Sequence, residues 1–331
     1  NGVKIKYRRY EYENIATAID DNSLLVLIYF IAPSIYCPDT LAYASETTQE
    51  KKLDKNKLVF LTAGELAQKI KSREVTSLEV VEAHLQHIAK YNTQLNAIVT
   101  LDAENARKRA MEADQALAKG ELWGPLHGVP MTIKDNLATK GMKTTSSFPP
   151  FANFIPDDDA ALVASLRKAG AIILGKTNMP SLGMDYQTNS PIFGITNNPW
   201  DITRTPGGST GGGAAAVAAG LSPLEIGNDY GGSVRIPSHF CGIYGIKPTE
   251  KMISNSGLMP QPKGYKIKPP QYMLSNGILS RSIDDLILCL GIVADPAMKS
   301  MMPSSDSYKN EQKKLNIAWT DDFGYIPVTE D

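Results

Sequence analysis

At 331 residues and 42% apolar content, the chain can bury a substantial core, as one large α/β domain or as two smaller ones. Its 34 Lys and Arg balance 35 Asp and Glu to a formal charge of −1, which excludes bulk electrostatic attraction to nucleic acid or anionic lipid. Cys37, Cys241 and Cys289 are too few and too scattered for a disulfide framework, and no Cys or His pair stands at metal-ligand spacing, so neither a metal nor a cofactor is expected.

Along the chain, the first feature is the start itself: residue 1 is Asn and no Met occurs before Met111, which points to a missing or mis-assigned start. Leu24 to Ile35 is a short apolar run, followed by Pro38 and the small-x-small triplet Ala42-Tyr43-Ala44 of a signal-peptidase site. The run is shorter than the roughly 20 residues that span a bilayer. Asp20 and Asp21 lie directly before it, against the signal-peptide pattern. Export through this signal-like segment 24–44 is therefore evenly matched against a buried helix or a translated leader in a cytoplasmic protein. Residues 1–60 read as a leader and 61–331 as the folded domain.

From Leu61 the pattern becomes regular. Thr62-Ala-Gly-Glu65 and Thr76-Ser-Leu-Glu79 have the capping-box form, in which hydroxyl and carboxylate satisfy helix-start amides reciprocally, so each predicts a helix start. In the second helix Leu78, Val81, Leu85 and Ile88 recur at helical spacing, which places His84 and His87 on its flank. Ala103 to Lys119 is predicted helical and stopped by Gly120; Asp159 to Ala169 is predicted helical, capped by the Asp and ended by Gly170. Val129 to Ile133, Ala171 to Leu174, Leu224 to Ile226 and Leu315 to Ala318 read as buried strands. Alternating strands and helices predict an α/β layered fold, and Lys263 to Pro270 reads as a surface loop.

Three segments carry chemistry. Gly128-Val-Pro-Met-Thr-Ile-Lys-Asp-Asn136 is a hydrophobic strand ending at Lys134. Thr205-Pro-Gly-Gly-Ser-Thr-Gly-Gly-Gly213 precedes a helix almost without side-chain bulk, Ala214 to Ala219, where glycines admit close backbone approach. It lacks the Gly-Lys-Ser/Thr of a phosphate loop and the spacing of a dinucleotide fingerprint. Ile226-Gly-Asn-Asp-Tyr-Gly-Gly-Ser-Val-Arg-Ile-Pro237 runs from a strand into a Gly-Gly turn bearing Ser233, a geometry that exposes a hydroxyl beside consecutive amides. A serine nucleophile needs a base, and neither His127 nor His239 stands in a triad pattern. A desolvated, neutral lysine is the physical alternative.

Together, Gly207-Gly-Ser-Thr-Gly-Gly212, Gly231-Gly-Ser-Val-Arg-Ile-Pro237, Cys241-Gly-Ile-Tyr-Gly-Ile-Lys-Pro-Thr249 and Ile133-Lys-Asp-Asn136 resemble the amidase signature family. Gly175-Lys-Thr-Asn-Met-Pro180 and Phe193-Gly-Ile-Thr-Asn-Asn-Pro-Trp200 extend the likeness, which runs from about Thr62 to the C-terminus. The resemblance implies a mixed central β-sheet sandwiched between helices, cut short at the C-terminus because the family's domain continues past the position of Asp331. It implies amide-bond hydrolysis through an acyl-enzyme on Ser233, with Ser209 as a proton bridge held by a cis peptide and Lys134 as general base. Tyr230, Gly231 and Gly232, with Ser233, would supply oxyanion amides; Gly183, Met184 and Thr210 would contact substrate. Thr210 reads equally as a helix cap, and Asp229 and Arg235 as a pair supporting the turn. Cys241 reads as a packing residue, and Ser222 and Ser238 as cap or turn serines. The implied partner is a small-molecule amide, with no direct nucleic-acid contact and a homodimer allowed. Two alternatives stay open: a subunit of a glutamine-dependent amidotransferase, and a catalytically dead fragment. Ser146-Ser-Phe148 departs from the Gly-Ser common in the family at this loop.

Overall fold

The structure, a computed structural model, describes residues 6–8, 55–270, 272–299 and 317–319. The signal-like segment 24–44 and Cys37 lie outside the described residues. The chain divides into two units, residues 1–24 with 296–331 and residues 25–295. In the first, β1 (Lys6–Arg8) pairs antiparallel with the strand Ile317–Trp319. Of the strand expected at Leu315 to Ala318, Ile317 and Ala318 belong to that pair, and residues 315 and 316 lie outside the described ones.

The second unit follows the predicted order. Its described part begins with α1 (Lys55–Leu58), α2 (Ala63–Lys71), α3 (Ser77–Leu95), β2 (Ile98–Leu101) and α4 (Ala103–Ala118). Next come β3 (Pro130–Lys134), α5 (Ala161–Lys168), β4 (Ile172–Thr177) and the short pair β5 (Asn189–Ser190) and β6 (Gly194–Ile195). The last elements are α6 (Gly211–Ala218), β7 (Leu224–Asp229), α7 (Arg235–Cys241), β8 (Tyr244–Ile246), β9 (Ser275–Ser280) and α8 (Ile283–Val293). Both capping boxes form: the Thr62 and Thr76 hydroxyls accept from the Glu65 and Glu79 amides, and each carboxylate returns to the cap N–H. The predicted stops hold as well, with Gly120 at φ 82° and Gly170 at φ 96°, where a Cβ is unfavourable.

Asp159 does not cap α5. The N-cap is Ala160, without a side-chain bond, and the Asp159 carboxylate instead accepts from the Lys140 N–H at 2.8 Å and pairs with Arg167 at 3.1 Å. His84 lies on the buried side of α3. It is fully buried, its Nδ1 2.8 Å from the Val80 carbonyl, and burial lowers its pKa to about 4, while His87 is half-buried against the Ala219 carbonyl. The Lys263 to Pro270 segment is the predicted exposed loop.

Six strands form a mixed sheet in the order β2-β4-β3-β7-β9-β8, flanked by helices. Its centre, β4-β3-β7, is parallel; β2, β9 and β8 join antiparallel to their neighbours. The central strands are buried along their whole length, as strands covered on both faces must be. Val81, Leu85, Ala110, Ile172, Leu174 and Ala216 form part of one apolar cluster that joins α3, α4 and α6 to β4. Register decides the site. Lys134 stands opposite Thr177 and Ile133 opposite Lys176, so the two buried lysines leave the sheet on opposite faces.

Two charged residues tie the first helices to this core. Arg281 donates to the carbonyls of Val59 (3.0 Å), Leu61 (3.2 Å), Ser222 (3.2 Å) and Val217, the last at the end of α6. Asp285, buried in the first turn of α8, accepts from the Ala63 and Gly64 amides at 2.8 and 2.9 Å, filling donors that a helix start leaves open.

Candidate active site

The three chemistry-bearing segments meet where β3 and β7 end beneath the start of α6. Lys134, the last residue of β3, has no exposed surface. Its Nζ lies 2.7 Å from Ser209 Oγ, 2.9 Å from Thr210 Oγ1 and 3.0 Å from Asn228 Oδ1. Burial pulls its pKa from 10.5 down to about 7, against the opposing pull of the Asp229 and Glu225 carboxylates. The uncharged amine is thus far more accessible near neutral pH than in a solvated lysine. Glu225 lies on β7, accepts from the Thr177 hydroxyl at 2.6 Å, and is itself pushed by burial up to about 7.

The glycines before α6 let this loop fit. A Cβ on Gly208 would meet the Tyr186 and Asp185 backbone at 2.8 and 2.9 Å, and the Gly208-Ser209 peptide is cis, as the resemblance implied. Gly183, at φ 74°, packs against Ser209: its Cβ would lie 3.3 Å from Ser209 Oγ. Met184 beside it is 83% exposed. Thr210 is the N-cap residue of α6 but makes no side-chain cap bond, so the cap reading gives way; its hydroxyl faces Lys134.

Ser233 stands on the turn between β7 and α7, mostly buried, with its carbonyl accepting from the Thr210 N–H at 3.0 Å. That bond fastens the Ser233 turn to the loop carrying Ser209. Among the described residues no hydrogen bond joins the Ser209 and Ser233 hydroxyls. The turn is organised by Asp229, whose carboxylate accepts from the amides of Gly232 (2.8 Å), Val234 (3.0 Å) and Arg235 (3.3 Å). Arg235 closes the pair with Nε at 3.0 Å and Nη2 at 2.8 Å, as expected of a supporting pair. Burial raises the Asp229 pKa, but the Arg235 and amide bonds outweigh it and hold the group ionised below the usual carboxylate range.

The Gly232 N–H, one of the expected oxyanion donors, is committed to Asp229 inside the turn. Cys241 is fully buried and its thiol is pushed up to about 12, which fits packing and not nucleophilic chemistry. Ser222 bonds the Leu224 carbonyl at 2.6 Å before β7, whereas Ser238 lies inside α7 and not at a cap. Ser147 of the departing loop bonds Ser190, and the Ser146 carbonyl accepts from Leu182 at 2.8 Å, so this loop backs the turn holding Gly183.

Three residues at the site were not singled out by sequence. Asn228 contacts Lys134; Asn136 holds Asn228 through Nδ2 to Oδ1 bonds of 2.7 and 3.3 Å; the Tyr186 hydroxyl donates to the Gly231 carbonyl at 3.1 Å. Asn136 and Asn228 both stand within the chemistry-bearing segments, directly beside Asp135 and Asp229, and a polar residue at the end of a buried strand was the available signal.

A profile of the Amidase family matches residues 79–331. The glutamyl-tRNA(Gln) amidotransferase A-subunit of Carboxydothermus hydrogenoformans is 39% identical over 259 residues, covering 78% of this chain and 52% of the relative. The protein of the same name from Moorella thermoacetica is 44% identical over 267 residues, covering 78% and 53%. Among solved structures, fatty acid amide hydrolase superposes with a TM-score of 0.67 at 29% identity, covering 82% of this chain and 46% of that one. Native peptide amidase from Stenotrophomonas maltophilia gives 0.65 at 32% identity, covering 73% and 50%. The chain spans about half the length of the curated relatives it matches. The matched profile takes in β3, the glycine loop and the Ser233 turn, and on that span the chain belongs to the amidase family.

Proposed function

We propose that the chain hydrolyses a carbon–nitrogen amide bond through an acyl-enzyme on Ser233, with Ser209 as proton bridge and Lys134 as general base. One observation carries the reading: a fully buried lysine, its pKa lowered to about 7, lies 2.7 Å from the hydroxyl of a serine whose loop is bonded to the Ser233 turn. A general base works best with a pKa near the operating pH, and a solvated lysine would be about three units too high.

In the reaction, Lys134 Nζ takes the Ser209 proton while Ser209 Oγ takes that of Ser233, and Ser233 Oγ bonds to the amide carbon. Tyr230, Gly231 and Ser233 amides receive the oxyanion, with Asp229 and Arg235 holding their turn; each such donor contributes about 3 kcal/mol. The proton then returns through Ser209 to the leaving nitrogen, the C–N bond breaks, and water attacks the Ser233 ester by the same relay to release the acid. The Ser209 to Ser233 link must close when substrate binds, as catalytic hydrogen bonds commonly do. Gly183 packs against Ser209, Thr210 bonds Lys134 and Met184 follows Gly183 as an exposed side chain; these are the substrate contacts in this reading.

A second reading, a subunit of a glutamine-dependent amidotransferase, is favoured by the names and identities of the sequence relatives. It uses the same relay on a glutamine amide. The test is to treat the chain and Ser233→Ala with a fluorophosphonate and then with a panel of amides that includes glutamine. Labelling of the wild type alone supports the nucleophile; labelling that survives Ser233→Ala refutes it, and a folded wild type that does not label favours a catalytically dead fragment. Glutamine turnover that requires co-purified partner subunits selects the second reading.

A further inference from the structure

A neutral amine has two N–H bonds and one lone pair, and only the lone pair can take a proton. Lys134 Nζ has three oxygen partners within 3.0 Å, so which oxygen receives the lone pair decides whether the lysine serves as a base. Asn228 Oδ1 carries no proton and must receive an N–H. The Thr210 hydroxyl can turn its proton toward the backbone carbonyl of Asn228, a long contact at 3.5 Å, and so leave Oγ1 to accept from Lys134. Ser209 is the remaining partner, and its proton has the nitrogen to go to.

We propose that Asn228, locked by Asn136, is a positioning residue for the proton relay: with Thr210 it occupies both N–H bonds of the Lys134 amine and leaves the lone pair to Ser209. The proposal rests on the amidase reading above. Asn136 is what fixes the Asn228 amide. Its Oδ1 accepts from Asn228 Nδ2 at 2.7 Å and its Nδ2 donates to Asn228 Oδ1 at 3.3 Å, with both side chains buried. Turning Asn228 alone would set oxygen against oxygen and NH2 against NH2, and it would aim an N–H at the nitrogen lone pair the relay needs.

The charged groups around Lys134 are few. β7 contributes Glu225 and Asp229, the latter paired with Arg235; β4 contributes uncharged Thr177; the loop before α6 contributes the hydroxyls of Ser209 and Thr210. Lys176 and Asp135 belong to the opposite face. An added carboxylate at position 228 would therefore be the nearest anion to the amine, and it would favour the ammonium form.

The test uses the full chain labelled with 13C at the lysine ε-carbon, the Lys134 signal being assigned by its loss in Lys134→Gln. Its pH titration is read beside the rate of fluorophosphonate labelling at Ser233. Asn228→Asp is expected to raise the Lys134 midpoint by about 1–2 pH units and to move the acid limb of labelling by the same amount. Asn136→Leu leaves the Asn228 carbonyl in place but unpinned, and is expected to slow labelling about tenfold with the midpoint unmoved. If Asn228→Asp does not fold, Asn136→Leu carries the test alone. An unmoved midpoint in folded Asn228→Asp, or wild-type labelling in Asn136→Leu, overturns the role of Asn228. A folded wild type that does not label at Ser233 overturns instead the enzymatic reading on which it rests.

Discussion

Replacing Asp229 with Ala tests whether the Ser233 turn is held from beneath. The carboxylate accepts three amide N–H groups and two guanidinium N–H groups, all between 2.8 and 3.3 Å. Removing one partner of a buried ion pair destabilises by about 3–5 kcal/mol. Arg235 keeps 27% of its side chain exposed and can rehydrate, which favours the lower end, roughly 3 kcal/mol. For a unit of this size that corresponds to a fall in Tm of about 6–12 °C. Asn at this position keeps one acceptor oxygen but turns an NH2 group toward donors, so it should lose nearly as much. Because the folded-state pKa of Asp229 is depressed, its contribution is present above the ordinary carboxylate value of about 3.9 and is lost as pH falls through the folded value. Thermal unfolding of wild type and Asp229→Ala at pH 7 and in a series below pH 4 measures both effects, and the wild-type advantage should shrink in the acid series. Fluorophosphonate labelling of Ser233 should slow about a hundredfold, since small displacements of reacting groups have effects of that order. Unfolding within 1 kcal/mol of wild type at pH 7 would refute the account of the turn.

Lys134→Met should abolish labelling yet stabilise the chain at pH 7. The folded-state lysine has a pKa of about 7 and the unfolded one 10.5, so between these values the unfolded chain binds the extra proton and wild-type stability rises with pH. The advantage of Met, a few kcal/mol at pH 7, should diminish toward pH 10.5 in denaturant titrations; an advantage independent of pH would show that the lysine is not buried uncharged. Arg281→Met should strand the Val59, Leu61, Val217 and Ser222 carbonyls and destabilise by about 2–4 kcal/mol, with amides of residues 58–66 exchanging first. Exchange no faster there than in β3 would rule out the clamp.

The fold was legible wherever its cause was local. The capping boxes at Thr62 and Thr76 and the glycine stops at Gly120 and Gly170 each depend on a few consecutive residues, and each appears where predicted. The Asp159 cap failed because its carboxylate answers to Lys140 and Arg167, neither of which local pattern brings near it. The same distinction governs the site. The lysine and the two serines stand in short motifs, but the Asn136 to Asn228 pair spans 92 residues and exists because β3 and β7 end side by side in parallel. Asp285 reaches the start of α2 across 222 residues, a contact no periodicity encodes. The commitment of the Gly232 amide to Asp229 depends on turn geometry, which the Gly-Gly pair permits without dictating.

The same hydrogen-bond accounting separates the two buried lysines. Lys176, adjacent in the sheet but on the opposite face, donates to the Leu137 carbonyl, to Thr139 Oγ1 at 2.8 Å and to Thr144 Oγ1 at 3.2 Å. Those two hydroxyls already give their protons to the Leu137 and Met142 carbonyls, at 3.1 and 3.2 Å. Every partner of Lys176 is therefore an acceptor with no proton to offer, and the nitrogen must supply three N–H bonds, which only the ammonium has. Burial lowers its pKa to about 8, and Asp135 pulls the other way. Lys134 differs by a single partner: Ser209 brings a proton that the other two oxygens do not. Burial makes both lysines easier to deprotonate, but Lys134 has beside it a hydroxyl whose proton is uncommitted, which in the proposed mechanism lets it act as the base.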